Sequence, residues 1–600
     1  MPQEPATRRT AQDDHTPDRA LAQAGWPTPA ATTLARDALI TVMGTSDLHG
    51  NCLNWDYYKD TPYTDTRADH IGIAKAAALI ERIRTERGRG NTLLLDSGDT
   101  IQGTPLATYY SVVEPITETG TTHPMARAMN ALDYDAVTLG NHEFNYGLDH
   151  LHTWISQMNA PALAANAVHH GTTDPAYPPY TLKRLKVTTT GPGTRPLTVG
   201  ILGLTNPGSA VWDRHHVQGR LDFLDLVTTA RRWVPRMRAD GADIVIVSAH
   251  AGDNGTSSYR GDLPVENASA LVARHVPGID AILFGHAHRE VPERLVTNEQ
   301  TGEQVLMTMP SYWGRRLSVI DLALRHEHGR WRVLAKNALT LNTNTVEEHP
   351  RIRALVADQH ATTVDYVNQV VATVTTELSA ATACWTDTPI VDFVHRVQTD
   401  TLTAALAHTP RADLPVLSIA APFNRSAAFP AGDLSIRDIA ALYLYDNTLI
   451  GSVLTGAQLR DYLEHSARYY AQAPATGPVD PADLTNAEGT PDYNCDQIAG
   501  VDYTLDLARP AGRRLTTLTL NGTEVTDDQR FAVAVNNHRQ AGGGAFPHIA
   551  DAPVVHNAQP EIRQALIDHA TRARTIDPAD FHTVTWRLVR DGVPLFPETP

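Results

Sequence analysis

Gly140-Asn141-His142-Glu143-Phe144-Asn145-Tyr146-Gly147 follows the short apolar run Ala136-Val137-Thr138-Leu139. The run reads as a buried strand. A glycine that then hands over to an amide and an imidazole reads as a ligand-binding turn, because such residues rarely serve packing. Alone, the octet is as readily a plain polar turn. Four other clusters decide between the readings. Residues 39–45 lead into Ser46-Asp47-Leu48-His49-Gly50, and residues 92–95 into Asp96-Ser97-Gly98-Asp99. Residues 243–247 lead into Ser248-Ala249-His250-Ala251-Gly252, and residues 280–284 into Gly285-His286-Ala287-His288. Ligands of open α/β sheets collect beyond the carboxyl ends of the strands, so five such clusters are expected to converge in space.

Asp, His and Asn supply the oxygen and nitrogen donors that bind divalent metals. In Asp47-x-His49 and His286-x-His288 the two residues stand two apart. In extended backbone such side chains leave on the same side, so either pair can grip one ion. Two cations roughly 3.5–4 Å apart clamp a phosphoryl group and generate a nucleophile from water near neutral pH. A nearby imidazole then protonates the departing alkoxide.

The order Asp-x-His, Gly-Asp, Gly-Asn-His-Glu, His, Gly-His-x-His resembles the calcineurin-like metallophosphoesterases. The resemblance implies two divalent metal ions sharing Asp99, with manganese, zinc, cobalt and iron not distinguished. It places Asp47, His49, Asp99 and His288 around one ion, and Asp99, Asn141, His250 and His286 around the other. It makes His142 the catalytic group beside the metals, close to the leaving oxygen, with Asn141 next to it in the catalytic motif. Glu143 and Asp96 receive no assigned role, and a structural one is expected for both.

The 600 residues provide ample chain for two sizeable cores. Fifty basic against 67 acidic residues give a formal charge of −17, which argues against polymeric nucleic acid as a partner. A small phosphorylated substrate is compatible with that charge, since bound metal supplies local positive potential. Cys52, Cys384 and Cys495 are too few and too widely spaced for a disulfide framework. The first residues are polar and Pro-, Ala- and Thr-rich without a signal-like apolar run, and no later stretch is long and apolar enough to span a bilayer. Cytoplasmic residence without membrane association is the expectation, and a mis-called start would leave export open.

Domains are expected as a flexible tail at 1–38, an α/β metallophosphoesterase domain at 39–344, a linker helix at 345–371 and a second α/β domain at 372–590. Within the first, Ile73, Ala76, Ala77, Ile80 and Ile83 fall at helical spacing, and residues 224–240 predict a helix kinked by Pro235. In the second, short strands and turns are expected, with helices near 435–443 and 456–467. A loop is expected at 474–490.

Across residues 39–590 the chain resembles two-domain nucleotidases, in which the metallophosphatase domain precedes a nucleotide-binding 5′-nucleotidase C-terminal domain. The resemblance implies a four-layer α/β/β/α sandwich in the first domain. It also implies that the second domain rotates to carry substrate to the metals, with the linker helix as hinge. Two rings would sandwich the base. They map to Tyr445 in Leu442-Tyr443-Leu444-Tyr445-Asp446-Asn447 and His538 in Asn536-Asn537-His538-Arg539, where family members carry Phe or Tyr. Asn424, Arg425, Asn447 and Asn537 are the further substrate-binding candidates.

Asp56-Tyr57-Tyr58-Lys59-Asp60, Phe144-Asn145-Tyr146-Gly147 and Tyr493-Asn494 resemble the branch acting on 2′,3′-cyclic nucleotides and 3′-nucleotides. The 5′-nucleotidases of the family carry Asp where Asn145 stands and an acidic residue where Gly544 stands. Lacking that charge, His142 is expected to be held less firmly as imidazolium. The leading expectation is therefore a monomeric enzyme opening 2′,3′-cyclic nucleotides to 3′-nucleotides and then releasing phosphate. The alternatives are a 5′-nucleotidase or broad nucleotide and organophosphate hydrolase, and a nucleotide-binding protein without chemistry.

Overall fold

The computed structural model describes residues 37–259, 263–444, 447–557 and 561–597. The expected tail, up to residue 36, and Tyr445 lie outside the described residues. The chain divides into two compact units, one running to Thr363 (leaving aside the loop at 258–259) and the other beginning at Val364.

In the first unit, the central strands are continuous apolar runs whose successive residues point to opposite faces, and two six-stranded sheets share a core on one of those faces. The first runs in the order Arg330–Asn342, Arg316–Glu327, Ala38–Thr45, Thr92–Asp96, Ala136–Thr138, Ala162–Leu163. The second runs Glu290–Thr297, Gln304–Pro310, Ala281–Phe284, Ile244–Ala249, Thr194–Leu204, Tyr180–Thr188. Ile40, Val42, Leu93 and Leu95 of one sheet share a core with Val199, Ile201, Ile244, Ile246 and Leu283 of the other. Each such side chain, fully buried, stabilises by about 1.5–3 kcal/mol. The outer face of the second sheet, through Val245, Val247 and Phe284, packs on helices Leu226–Ala239 and Ser269–His275. Helix Ile73–Arg87 lies against the first sheet and stops at Gly88. Helix, sheet, sheet, helix is the expected four-layer order.

Leu226–Ala239 continues as one helix through Pro235, with Val234 and Met237 buried on either side of the proline and Asp225 capping its start. The proline forfeits only its own backbone hydrogen bond, and the buried neighbours hold the turns that flank it.

Helix Pro350–Val367 is shorter than expected, and its first three quarters belong to the first unit. Ile352 and Val356 are buried, Gln359 donates to Thr122 O at 2.9 Å, and the Tyr57 hydroxyl lies 2.9 Å from His360 Nδ1. The Asp56–Asp60 motif thus holds this helix to its own unit.

The second unit contains a five-stranded sheet ordered Gln497–Ala499, Val416–Ala420, Arg530–Asn536, Leu449–Thr455, Val554–His556. A further five-stranded sheet is centred on Asp502–Asp506. Helices Ile436–Leu442 and Gly456–Ser466 fall where expected, both opened by capping boxes. An 18-residue helix, Pro389–Leu406, and a 12-residue one, Ile562–Ala573, were not expected. Ile390, Val391, Phe393, Val394 and Val397 carry strand propensity, yet Pro389 in the first turn favours a helix and tertiary burial of that face decides. The loop expected at 474–490 contains two short helical turns, Pro481–Leu484 and Ala487–Gly489. All three cysteines are free and buried.

Candidate metal centre

All five motif loops leave the carboxyl ends of parallel strands in the first unit. Their ligand atoms form two groups, Asp47 with His49 and His288, and Asp99 with His250 and His286, each spanning no more than 4.8 Å. The spacing reading, by which His286 and His288 can grip one ion, fails, since they fall in different groups. Its premise of extended backbone does not hold at these loops. Asp47, His49, Asp99, His286 and His288 all have positive φ, between 48° and 75°, instead of extended backbone. Non-glycine residues in that region cost about 1–3 kcal/mol each and cluster at sites where surrounding structure imposes them.

Close approach also requires glycine at 140. A Cβ there would lie 2.2 Å from Asp99 Oδ1 and 2.8 Å from His250 Nδ1.

Three of the four histidines are oriented through the ring nitrogen turned away from their group. His49 Nδ1 lies 3.0 Å from Gln102 O, His250 Nδ1 lies 2.7 Å from Ser97 O, and His286 Nε2 lies 2.7 Å from Glu266 Oε1. Such contacts fix the ring so that the other nitrogen serves as ligand. Tyr312 stacks on His288, with ring centroids 4.8 Å apart, and Trp212 on His286 at 5.7 Å.

The inward-facing atoms fit cations. His250 Nε2 is buried 2.9 Å from Asp99 Oδ2 but is not aligned as a hydrogen bond, and buried Asn141 Oδ1 has no hydrogen-bond partner among the described residues. His49 Nε2 and His288 Nε2 face each other at 3.1 Å. Buried donors and acceptors left this way are costly unless something lies between them. A donor set of imidazole, carboxylate and amide, without thiolate, suits Mn, Zn, Co or Fe.

Without cations, Asp99 is the main countercharge. Burial alone would depress the His250 imidazolium, but Asp99 outweighs it and lifts His250 to about 10. His49 is pushed down by burial to about 4.

Glu143 and Asp96 have the structural work expected of them. Glu143 Oε2 accepts from the backbone N–H groups of Asp99 and Gly140 at 2.8 and 2.6 Å, and Oε1 from Thr100 N–H at 2.5 Å. It therefore clamps the loops carrying Asp99 and Asn141. Asp96 accepts from the Thr45 hydroxyl and Gly98 N–H, and burial raises it to about 7.

His142 stands beside the centre, with Nε2 3.9 Å from Asp99 Oδ2. Its Nδ1 lies 2.6 Å from Asn145 Oδ1, and Asn145 Nδ2 donates to Asp213 Oδ1 at 2.6 Å. The imidazolium is held mainly by groups other than a charge at position 145. Burial lowers it, but Asp99, the Asn145 oxygen and Asp213 outweigh burial and raise His142 above its ordinary value.

Asp213, Glu266, Trp212 and Tyr312 were missed because they lie far along the chain from the motifs they touch. The only local signal was an acidic residue after the Gly208 turn, Asp213.

In the second unit, Asn424 follows strand Val416–Ala420, Asn537 follows Arg530–Asn536, and Asn447 precedes the antiparallel Leu449–Thr455, so all three lie at one end of the sheet. Asn424 Nδ2 donates to Ala441 O at 2.8 Å and Asn537 Oδ1 accepts from Thr448 N–H at 3.1 Å, which ties the surrounding loops together. Arg425 lies over the Trp385 ring, 5.0 Å from its centroid. His538 is exposed on one side, its ring lying against Gly543.

Between them, Arg539 is fully buried. It pairs with both oxygens of Asp496 at 2.8 and 2.9 Å and donates to Gly543 O and Tyr493 O. A Cβ at Gly544, whose φ is 73°, would lie 2.3 Å from Arg539 Nη1. No acidic side chain fits there.

Family models match two segments, a calcineurin-like phosphoesterase domain over residues 40–290 and a 5′-nucleotidase C-terminal domain over residues 370–551. A 2′,3′-cyclic-nucleotide 2′-phosphodiesterase/3′-nucleotidase of Haemophilus influenzae is 34% identical over 89% of this chain and 84% of its own length. A trifunctional nucleotide phosphoesterase of Bacillus subtilis is also 34% identical, over 92% of this chain, which spans only 39% of that longer protein. Among solved structures, a candidate 5′-nucleotidase from Staphylococcus aureus covers 92% of this chain and matches over 100% of its own, with TM-score 0.69. At 24% identity it speaks to the fold alone.

Proposed function

The chain belongs to the calcineurin-like phosphoesterases that carry a 5′-nucleotidase C-terminal domain, and on that premise we propose that it is a metal-dependent phosphoesterase that hydrolyses 2′,3′-cyclic nucleotides to 3′-nucleotides and then to nucleosides and phosphate. The family implies divalent metal ions, and the two ligand groups are their candidate sites. The observation that carries the reading is the convergence of these groups on Asp99 with His142 alongside.

Asp47, His49 and His288 would hold one ion, Asp99, His250, His286 and Asn141 the other, with Asp99 reaching both. Bound there, divalent ions supply positive charge for the phosphoryl oxygens and make water a competent nucleophile near neutral pH. The chain's own residues do the rest. Glu143 ties the backbone at Asp99 to the backbone at Gly140, so Asp99 and Asn141 are presented together. Trp212 and Tyr312 wall the centre and restrict the rings of His286 and His288. His142 Nε2 carries the proton delivered to the leaving oxygen, while Nδ1–H stays on Asn145.

Both steps, diester then monoester, need the same positioning and charge stabilisation, so one open centre serves both. Support for the cyclic and 3′ assignment over the 5′ comes from the names of the relatives at about one-third identity. Asn145 and Gly544 also replace the acidic residues of 5′-nucleotidases. The end of the second unit's sheet where Asn424, Asn447, Asn537 and His538 collect is the proposed nucleotide-selecting surface, and manganese the ion to supply first.

Metal resupply distinguishes the hydrolase from a protein that only binds nucleotide. Chelated protein is expected to lose p-nitrophenyl phosphate hydrolysis and to regain it with about two equivalents of manganese per chain. Nucleotide binding without product release in the resupplied protein would refute the proposal.

A further inference from the structure

Asp213 lies between two helical turns, Ser209–Trp212 and Arg214–Val217, and is 3% exposed. Its Oδ1 accepts from Asn145 Nδ2, and its Oδ2 has no hydrogen-bond partner among the described residues. A carboxylate kept this dry is placed there at a cost.

An asparagine amide offers a donor at one end and an acceptor at the other, in almost the same shape. Nothing in Asn145 itself decides which end faces His142. A carboxylate accepts only. With the NH2 end held by Asp213, Oδ1 must face His142 Nδ1, which must then be the protonated nitrogen. Nε2 is left facing Asp99 and the candidate metal centre. With the amide reversed, its NH2 would oppose the Nδ1–H of an imidazolium, and the neutral ring would take the other tautomer.

We propose that Asp213 is a positioning residue for the hydrolysis, fixing the Asn145 amide so that His142 presents Nε2 to the leaving oxygen. The inference rests on the reading of His142 as proton donor given above. In that step a water oxygen bonds to phosphorus, the phosphorus–oxygen bond to the nucleoside breaks, and its electron pair stays on the leaving oxygen. That oxygen takes the Nε2 proton. The water proton goes to solvent, and His142 is left neutral with its Nδ1–H still on Asn145.

The test is a double-substitution cycle of Asp213→Asn and Asn145→Asp, both near-isosteric, in manganese-loaded protein. Asp213→Asn lets the Asn145 amide turn over. It is expected to lower kcat on 3′-AMP about 10- to 100-fold with little change in KM. The loss on p-nitrophenyl phosphate, whose leaving group needs no proton, is expected to be at least about tenfold smaller. In the Asn145→Asp background both side-chain oxygens accept, and a second carboxylate beside them is repulsive. There the same Asp213→Asn change is expected to cost nothing or to raise kcat.

Equal losses on the two esters, or the same loss in both backgrounds, would overturn the inference. Asp213→Ser provides the same leaving-group comparison should Asp213→Asn not fold. A readout independent of turnover is the long-range ¹H–¹⁵N spectrum of metal-free protein, with His142→Ala used for assignment. Neutral His142 is expected as the Nδ1–H tautomer in the wild type and as a mixture in Asp213→Asn; an unchanged tautomer overturns the inference. Absence of hydrolysis in the wild type would instead sink the hydrolase reading, and the tautomer measurement would still judge Asp213 separately.

Discussion

Replacing Asp99 with asparagine is expected to slow phosphoester hydrolysis at least about a thousandfold, equivalent to about 4 kcal/mol in the barrier. Asp99 Oδ2 lies 2.9 Å from His250 Nε2, 3.8 Å from His49 Nε2 and 3.9 Å from His142 Nε2. It therefore connects both ligand groups and the proposed proton donor. Asparagine keeps the shape and removes the negative charge that would lie between two cations. The backbone should hold, because Glu143 and the loop fix residue 99 through its main chain. Metal content measured after gel filtration is therefore expected to fall below two per chain while the thermal transition moves little. Activity within tenfold of wild type, with two metals retained, would show that Asp99 is not shared.

Glu143→Ala is expected to have the largest effect on stability, about 3–6 kcal/mol. Its carboxylate accepts three backbone N–H groups, from Asp99, Thr100 and Gly140, in a fully buried position. Truncation leaves all three donors unsatisfied at about 1–3 kcal/mol each, and a water filling the gap would recover part. Glutamine is only a partial substitute. Whichever way it turns, its NH2 opposes at least one of these N–H groups, since both oxygens of Glu143 are in use. Urea unfolding of chelated protein measures the loss on the transition of the first unit. A loss below about 1 kcal/mol would mean that the loops are held together by something else.

These two acids show what can and cannot be read along the chain. Asp99 was legible because a glycine and a carboxylate follow closely on a strand, and each of the other four strands also runs into a polar cluster. The order of the strands did not follow, since three of the five loops leave one sheet and two the other, and the spacing of the motifs carries no sign of that division. The ligand grouping did not follow from spacing. A rule for extended backbone does not apply at His286-x-His288, where φ is positive at both residues. Glu143 is adjacent to His142, yet its role depends on Asp99 and Thr100, more than forty residues earlier. Asp213 is 68 positions from the asparagine it holds, and a single sequence carries no trace of that pairing.

In the second unit, composition hid helix Pro389–Leu406, because β-branched residues serve a buried helical face as well as a strand. The glycine at 544 was read from resemblance as a lost acid. Its physical cause is the buried Arg539–Asp496 pair, which leaves no room for a side chain. Asn424 and Asn537 were read as substrate contacts, and their amides also close loops within the second unit. Of the described residues, none lies in a helix long and apolar enough to cross a membrane.

The most direct test of the central claim is phosphate release and product identity from 2′,3′-cAMP, 3′-AMP and 5′-AMP, side by side, in chelated protein resupplied with manganese. The account predicts that 2′,3′-cAMP is opened to 3′-AMP, that both reach adenosine and phosphate, and that 5′-AMP is turned over at least about tenfold more slowly, a difference of about 1.4 kcal/mol. Preferred hydrolysis of 5′-AMP, with 2′,3′-cAMP left intact, would contradict it.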